Sequence, residues 1–455
     1  MTQLGVRWTT DQVLALAPDV ASRKAGSKLG TAGPWSGTGS TDEGAVWGQC
    51  KGSGSRPYRT VVDIGGAQGA AYNCSCPSRK FPCKHALGLL LLWAGGAAQV
   101  PGTAVAPDWA EEWLAGRRER AERQRAAPQG ASAAPADPEA ARRRAERRAQ
   151  RISAGATELE QRLTDLLRGG LAQAEQAGYG LWEETAARMV DAQAPGLAAR
   201  VRDLGAIPGS GPGWPARLLE ECALLHLLDR GWLRRAELPE GLAATVRSRV
   251  GLPASATGEP LRDRWLILCQ YDTSDGHLTT RRIWLYGTES GRTVLLLSYG
   301  AAGRAPSLVL PPGLVLDASV SGRPGSLRAE LTEQFGAPEP GGARPAGVDA
   351  GSAVALYGGE LRADPWLESW PVTLADVVPA RDPDTSGGWQ LADADGKSAL
   401  PLTPAAAASP GLWRLVALSG GSPVTVFGSC GHAGFRPLSA WAPRIPNAPL
   451  IPLTD

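Results

Sequence analysis

The sequence predicts an α+β multidomain protein: a small ββα unit near the N-terminus, a helical segment, and a C-terminal β-rich domain. Three observations predict it. CSCPSRKFPCKH (74–85) packs three Cys and one His into twelve positions, behind two strand-like runs and ahead of an apolar helical run. Apolar residues between about 139 and 250 recur at helical spacing. Beyond residue 255 the pattern becomes short β-like runs separated by Gly and Pro. At 455 residues the chain is long enough for two or three domains with cores. A hydrophobic fraction of 43% with 20% charged residues marks a globular chain rather than a disordered one.

Taken in order, Val13, Leu14, Leu16, Ala17 and Val20 recur at helical spacing within Asp11 to Lys28, with Thr9 or Thr10 as N-cap. A Gly/Ser/Thr-rich loop is expected through Glu43. Ala45–Cys50 and Tyr58–Ile64 read as strands, and Ala71–Cys76 leads into the cysteines. Gly65-Gly66 with Gly69 reads as the hairpin turn between the last two. From Lys84, KHALGLLLLWA is helical and strongly apolar. Trp109 and Trp113, four apart, should share one helix face and dock on this module or on the helices that follow. Residues 1–116 therefore form an N-terminal α+β module whose ββα centre spans about 56–96.

Residues 117–138 read as a basic, low-complexity linker, containing RRERAERQR and AAPQGASAAPADP. Arg117 to Arg151 holds 11 Arg against five acids. The Glu119–Arg123 spacing favours exposed, salt-bridged helix, with nucleic-acid contact as the alternative. The helical segment covers 139–250. Leu159, Leu163, Leu166 and Leu167 mark one apolar face, and ARLLEECALLHLLDRGWL marks another, with His226 expected in the core. The β-rich domain covers 255–455, a sandwich or barrel built from RWLILCQYD, RRIWLYG, TVLLLSYG, SLVLPPGLVLDASV, GWQLADADGK, LWRLVALSG and SPVTVFGSC.

A net charge of +2 is no global nucleic-acid signature. Locally, Cys50 to His85 carries six basic residues against Asp63 alone. The N-terminus lacks the charged and apolar regions of a secretory signal. The longest apolar run, Ala86 to Ala98, is shorter than the roughly 20 residues a bilayer requires, so no membrane role is expected. Cys50, Cys222, Cys269 and Cys430 are dispersed and suggest no disulfide framework, which fits a reducing cytoplasm. Neither a phosphate-binding glycine loop nor a nucleophile elbow occurs in a suitable context. The chain is read as non-enzymatic, with the β-rich domain the one part left open.

Seven Cys and four His serve the whole chain, so clustering three and one of them argues for a metal. Thiolate and imidazole are the ligands of tetrahedral Zn²⁺. Cys74 and Cys76 form one close pair, Cys83 and His85 the other, and six residues cross between them. All four positions would be protein-filled, leaving none for a substrate or activated water, so the zinc is expected to be structural. A redox pair would be spaced CxxC instead. CGHAGF (430–435) with Cys269 and His277 could form a second site only if the strands brought them together, and two ordinary strands are expected.

At these residues the chain resembles the SWIM zinc finger: CxC, a short spacer, CxH, two strands before and a helix after. The stretch GSGSRPYRTVVDI…YNCSCPSRKFPCKHALGLLLLWA is similar to bacterial SWIM-containing proteins. The resemblance implies zinc on Cys74, Cys76, Cys83 and His85, and a DNA-binding or protein-interaction module. It also implies a possible protein partner, a MoxR-like AAA+ ATPase with a von Willebrand factor A-domain protein, since such genes often adjoin those of relatives. Arg56, Arg59, Arg79, Lys80 and Lys84 are the candidates for phosphate contact. Tyr58, Tyr72 and Phe81 either stack on bases or pack the small core.

Overall fold

The computed structural model describes residues 7–454 apart from 15, 19, 53, 55, 66–69, 79, 81, 103–104, 127–136, 253–257, 275–277, 302–305, 307, 323–326, 342, 384–387 and 444–447. The chain divides into two compact units. The first comprises Met1–Gln129, Thr257–Tyr357 and Ser369–Asp455, the second Gly130–Ala256 and Gly358–Glu368.

The first unit opens with two short helices, α1 (Thr10–Leu14) and α2 (Val20–Ser27), where one longer helix was expected. Pro18 between them is the physical reason, since proline disfavours helix at the residue before it. Thr9 caps α1 reciprocally: its hydroxyl accepts from Gln12 N, and Gln12 Oε1 accepts from Thr9 N. Strands β1 (Trp35–Ser40), β2 (Ala45–Cys50), β3 (Tyr58–Asp63) and β4 (Ala71–Cys74) then form an antiparallel sheet in chain order. The expected loop through Glu43 thus contains strand β1. Its composition hides it: Gly37 has φ +57°, the register shifts between Ser36 and Gly39, and a Cβ at Gly39 would meet the Trp47 ring.

Helix α3 (Lys84–Ala94) follows the cysteines and is buried from His85 to Trp93. The sheet presents Val46 and Val62 to the cluster that contains α3, and Ala45, Trp47 and Val61 to α4 (Asp108–Ala126). Period-two alternation thus puts one helix on each face. Trp109 and Trp113 pack on the α4 side, and Arg117 ties α4 to β3 through Asp63 at 3.0 Å. Residues 117–126 of the expected linker are therefore helical, while 127–136 lie outside the described residues.

Strands β5 (Leu261–Ser274), β6 (Leu278–Gly287), β7 (Thr293–Ala301), β8 (Leu314–Gly322) and β9 (Arg328–Gln334) close a five-stranded barrel in the order β5-β6-β7-β9-β8. Its pairs are antiparallel except β7–β9. β10 (Glu339–Pro340) pairs with the start of β8. Trp265, Ile283, Leu296 and Leu316 of the barrel belong to the same buried cluster as Cys74, Cys83 and the α3 leucines.

A second sheet follows α10 (Ala350–Glu360). It runs β13-β12-β11-β14-β15-β16, from β11 (Ser369–Arg381), β12 (Trp389–Asp393), β13 (Ala399–Pro401), β14 (Val424–Gly431), β15 (Gly434–Trp441) and β16 (Leu450–Pro452). Phe427, Leu438 and Trp441 pack on Leu266, Leu268 and Trp284 outside the barrel. Between β13 and β14 lie α11 (Pro404–Ala407) and α12 (Pro410–Ser419). LWRLVALSG, expected as a strand, is α12. Ser409 caps it, Pro410 opens it and Gly420 in the left-handed region ends it.

The second unit contains α5 (Pro138–Gly169), α6 (Ala172–Asp191), α7 (Pro195–Leu204), α8 (Trp214–Leu233) and α9 (Glu240–Val250). Leu159 and Leu163 are buried and Leu166 packs against the core, but Leu167 is exposed. The unit also takes up residues 358–368 from the distant chain. Trp366 is buried and donates from Nε1 to Leu224 O at 2.8 Å, while Asp364 pairs with Arg249.

Candidate metal centre

β4 ends at Cys74, a turn carries Cys76, and Cys83 is the N-cap of α3, whose first turn holds His85. One strand end and one helix start therefore deliver the ligands in two pairs. The four ligand atoms all lie within 4.8 Å of one another. A tetrahedral ion with about 2.3 Å bonds to sulfur needs ligand atoms about 3.8 Å apart. Cys74 Sγ and His85 Nδ1 are 3.7 Å apart, so Nδ1 is the nitrogen turned to the cluster.

Donor groups surround the sulfurs. Backbone amides of Cys76, Ser78 and Ala86 reach Cys74, Cys76 and Cys83 respectively, and the Thr60 hydroxyl lies 3.2 Å from Cys74 Sγ. Such bonds favour the thiolate form. The Cys74–Cys83 contact pulls Cys74 down to about 4 and pushes Cys83 up, so the pair holds one proton between them. Burial is the first cause raising Cys76. A dication in their midst takes the place of that proton and removes the conflict among crowded thiolates. Cys74, Cys76, Cys83 and His85 thus fit Zn²⁺.

Tyr58 fixes the imidazole from the side. Its ring stacks on His85 with centroids 4.7 Å apart, tilted by 32°. Gly52 backs the Tyr58 ring, since a Cβ there would sit 2.6 Å from Cε2. Tyr72 has a buried hydroxyl without a partner among the described residues and lies near Arg281 of β6. Both tyrosines therefore pack rather than offer a free stacking face, and Phe81 lies outside the described residues. Arg281 itself is buried, paired through both Nε and Nη2 with Asp272 at 2.8 Å.

Of the phosphate-contact candidates, Arg56, Arg59, Lys80 and Lys84 are exposed and Arg79 lies outside the described residues. Arg59 also sits over the Trp109 ring at 6.0 Å. Cys269 and Cys430 fall in different apolar clusters, and His277 lies outside the described residues. Among the described residues, the Cys74–His85 set is the metal-type cluster found. His226, expected in the core, is half exposed and faces Glu160 at 3.5 Å. The buried ionisable group on that helix is Asp229, three residues on, which sequence periodicity did not single out. Among the described residues no helix is long and apolar enough to cross a membrane.

Residues 58–94 match the SWIM zinc finger, and residues 147–250 match the SWIM-associated four-helix bundle domain. No curated protein and no solved structure matches the chain.

Proposed function

We propose that this chain, which carries a SWIM zinc finger followed by the helical domain associated with it, is a non-catalytic binding module. Its zinc is structural, and its exposed basic rim contacts nucleic-acid phosphates. The observation that carries the structural role is the convergence of four protein ligands, enough to fill every position of a tetrahedral ion. Zinc here organises the turn between β4 and α3 and lets the helix enter the core with its thiolates satisfied. Arg56, Arg59, Lys80 and Lys84 project from the same small unit. Their side chains supply the sequence-independent electrostatic attraction that phosphates offer to basic surfaces.

The test joins metal content to binding: elemental analysis of the purified chain, then salt-titrated binding of random-sequence DNA with and without chelator. One zinc per chain, with binding lost to both salt and chelator, supports the reading. One zinc without DNA binding overturns it in favour of protein docking. The adaptor role beside a MoxR-like ATPase and a von Willebrand factor A-domain protein would then be the reading to pursue.

A further inference from the structure

The two arginine-rich helices differ in what their arginines face. On α4, Arg117 pairs with Asp63, Arg118 with Glu111 and Arg123 with Glu119. Those charges are used up in holding the helix and its dock. On α5, Arg143 pairs with Glu139 and Arg151 donates to Gln193. Arg142, Arg144 and Arg147 are exposed with no hydrogen-bond or ion-pair partner among the described residues, and Arg148 Nε is buried with none.

Position along α5 matters as much as pairing. Among the described residues, the first fully buried one of the helix is Ile152. The turns from Pro138 to Arg147 stand ahead of the packed core, which Ala149 and Ile152 enter, and extend about 15 Å at 1.5 Å per residue. With about 100° between successive residues, Arg144, Arg147, Arg148 and Arg151 fall within an arc of about 100°. Glu139 and Glu146 fall on the far side of the helix. Arg142 also falls on that far side, but between Pro138 and Arg151 the arc itself carries no acid. Arg144–Arg148 and Arg147–Arg151 are like-charge neighbours at i,i+4, which destabilise an isolated helix. A polyanion laid along the face relieves that repulsion.

We propose that the N-terminal turns of α5 are a second contact surface of this chain, taking the phosphates of duplex DNA along the Arg144–Arg147–Arg148–Arg151 face. Guanidinium forks match phosphate oxygens in planar, two-bond fashion. A helix fits the B-form major groove, about 12 Å wide, whereas the A-form groove of duplex RNA is too narrow for it. The flanking small residues Ala140 and Ala145 provide no apolar edge to enter a bilayer, which sets the face apart from a membrane-surface helix. This surface lies on the helical domain and is independent of the finger's basic rim.

The test compares the full chain with R144Q/R147Q/R148Q, and with R118Q/R123Q on α4 as control, by fluorescence anisotropy of a labelled random-sequence duplex. Salt is varied from about 50 to 200 mM, where each phosphate contact contributes close to one unit of slope in log affinity against log salt. The triple variant should lose about 2 to 3 units of slope and about tenfold or more in affinity, and the control should match the parent. Circular dichroism should show both variants folded. An unchanged slope in the triple variant overturns the proposal, as does preference of the parent chain for duplex RNA or for phosphatidylserine vesicles. A chelator arm separates this surface from the finger. Slope lost by the triple variant but untouched by chelator sustains the α5 face and removes the finger as a reader. The opposite pattern sustains the finger and removes α5.

Discussion

His85 is set by neighbours as small as a missing methyl. Tyr58 can stack on the imidazole because Gly52 leaves room behind its ring. Gly52→Ala places a carbon where the ring now lies, so the ring must shift and the imidazole loses its stop. Partners that orient a ligand are worth roughly 10- to 100-fold in metal affinity. Gly52→Ala should weaken zinc binding about tenfold in competition against a chromophoric chelator, with the ligand set intact. The four ligands were readable in the sequence because they are local: two short pairs within twelve positions. Tyr58 as a positioning residue was not, since its role follows from strand β3 lying over α3. Asp229 was equally hidden. It is fully buried, neither carboxylate oxygen has a partner among the described residues, and burial, with Glu160 nearby, pushes it up to about 8. The unfolded chain releases this proton near pH 3.9. Between about pH 4 and pH 8 the folded state therefore binds the extra proton, and stability falls as pH rises, then levels off above 8. The loss approaches 1.4 kcal/mol per pH unit for this group. Asp229→Asn should flatten the urea stability of the helical unit over that range relative to the parent, read by hydrogen exchange along α8. Equal pH slopes in the two proteins would assign the effect elsewhere.

At the scale of elements, periodicity decided most assignments and capping decided the rest. The strands RWLILCQYD and RRIWLYG formed as β5 and β6 because alternating apolar residues face into the barrel. LWRLVALSG carries the same apolar density, but the cap Ser409, Pro410 at its start and Gly420 after it are helix signals. The segment 358–368 gave no signal at all, since the insertion of Trp366 into the helical core depends on a partner surface more than a hundred residues earlier. The close approach of the segment after α2 to α3 was also invisible. A Cβ at Gly88 would lie 2.5 Å from Leu29 Cβ and 3.2 Å from its backbone, so α3 can enter only where that residue is glycine. Gly88→Ala should destabilise the first unit by about 1–3 kcal/mol despite the better helix propensity of alanine. Stability equal to or above that of the parent in denaturant titration would show that α3 slides freely.

On the scale of the whole molecule, zinc and the β-rich part meet in one core. A finger of some 40 residues has too little apolar area to order itself, so chelation should unfold it locally. The structure adds a consequence. Cys74, Cys83 and the α3 leucines share a buried cluster with Trp265, Ile283, Leu285 and Leu316 of the barrel, and the Trp8 indole donates to Pro338 O at 3.4 Å. Removing zinc leaves three crowded thiols at the base of α3, with Cys83 at its N-cap. When α3 loosens, the barrel loses part of the apolar surface packed against it, at about 25 cal/mol for each Å² re-exposed. The helical unit, Gly130–Ala256 with Gly358–Glu368, has its own cluster around Trp232 and Trp366. Cys83→Ser should therefore lower zinc well below one per chain and speed amide exchange in β5, β6 and β8 as well as in β2–β4, while α5–α9 keep their protection. Exchange confined to the first hundred residues would show that the barrel stands without the finger. Full zinc occupancy in the variant would remove Cys83 from the ligand set. The pattern expected here makes the metal a support for most of the first unit, and the arginine face of α5 an element that survives its loss.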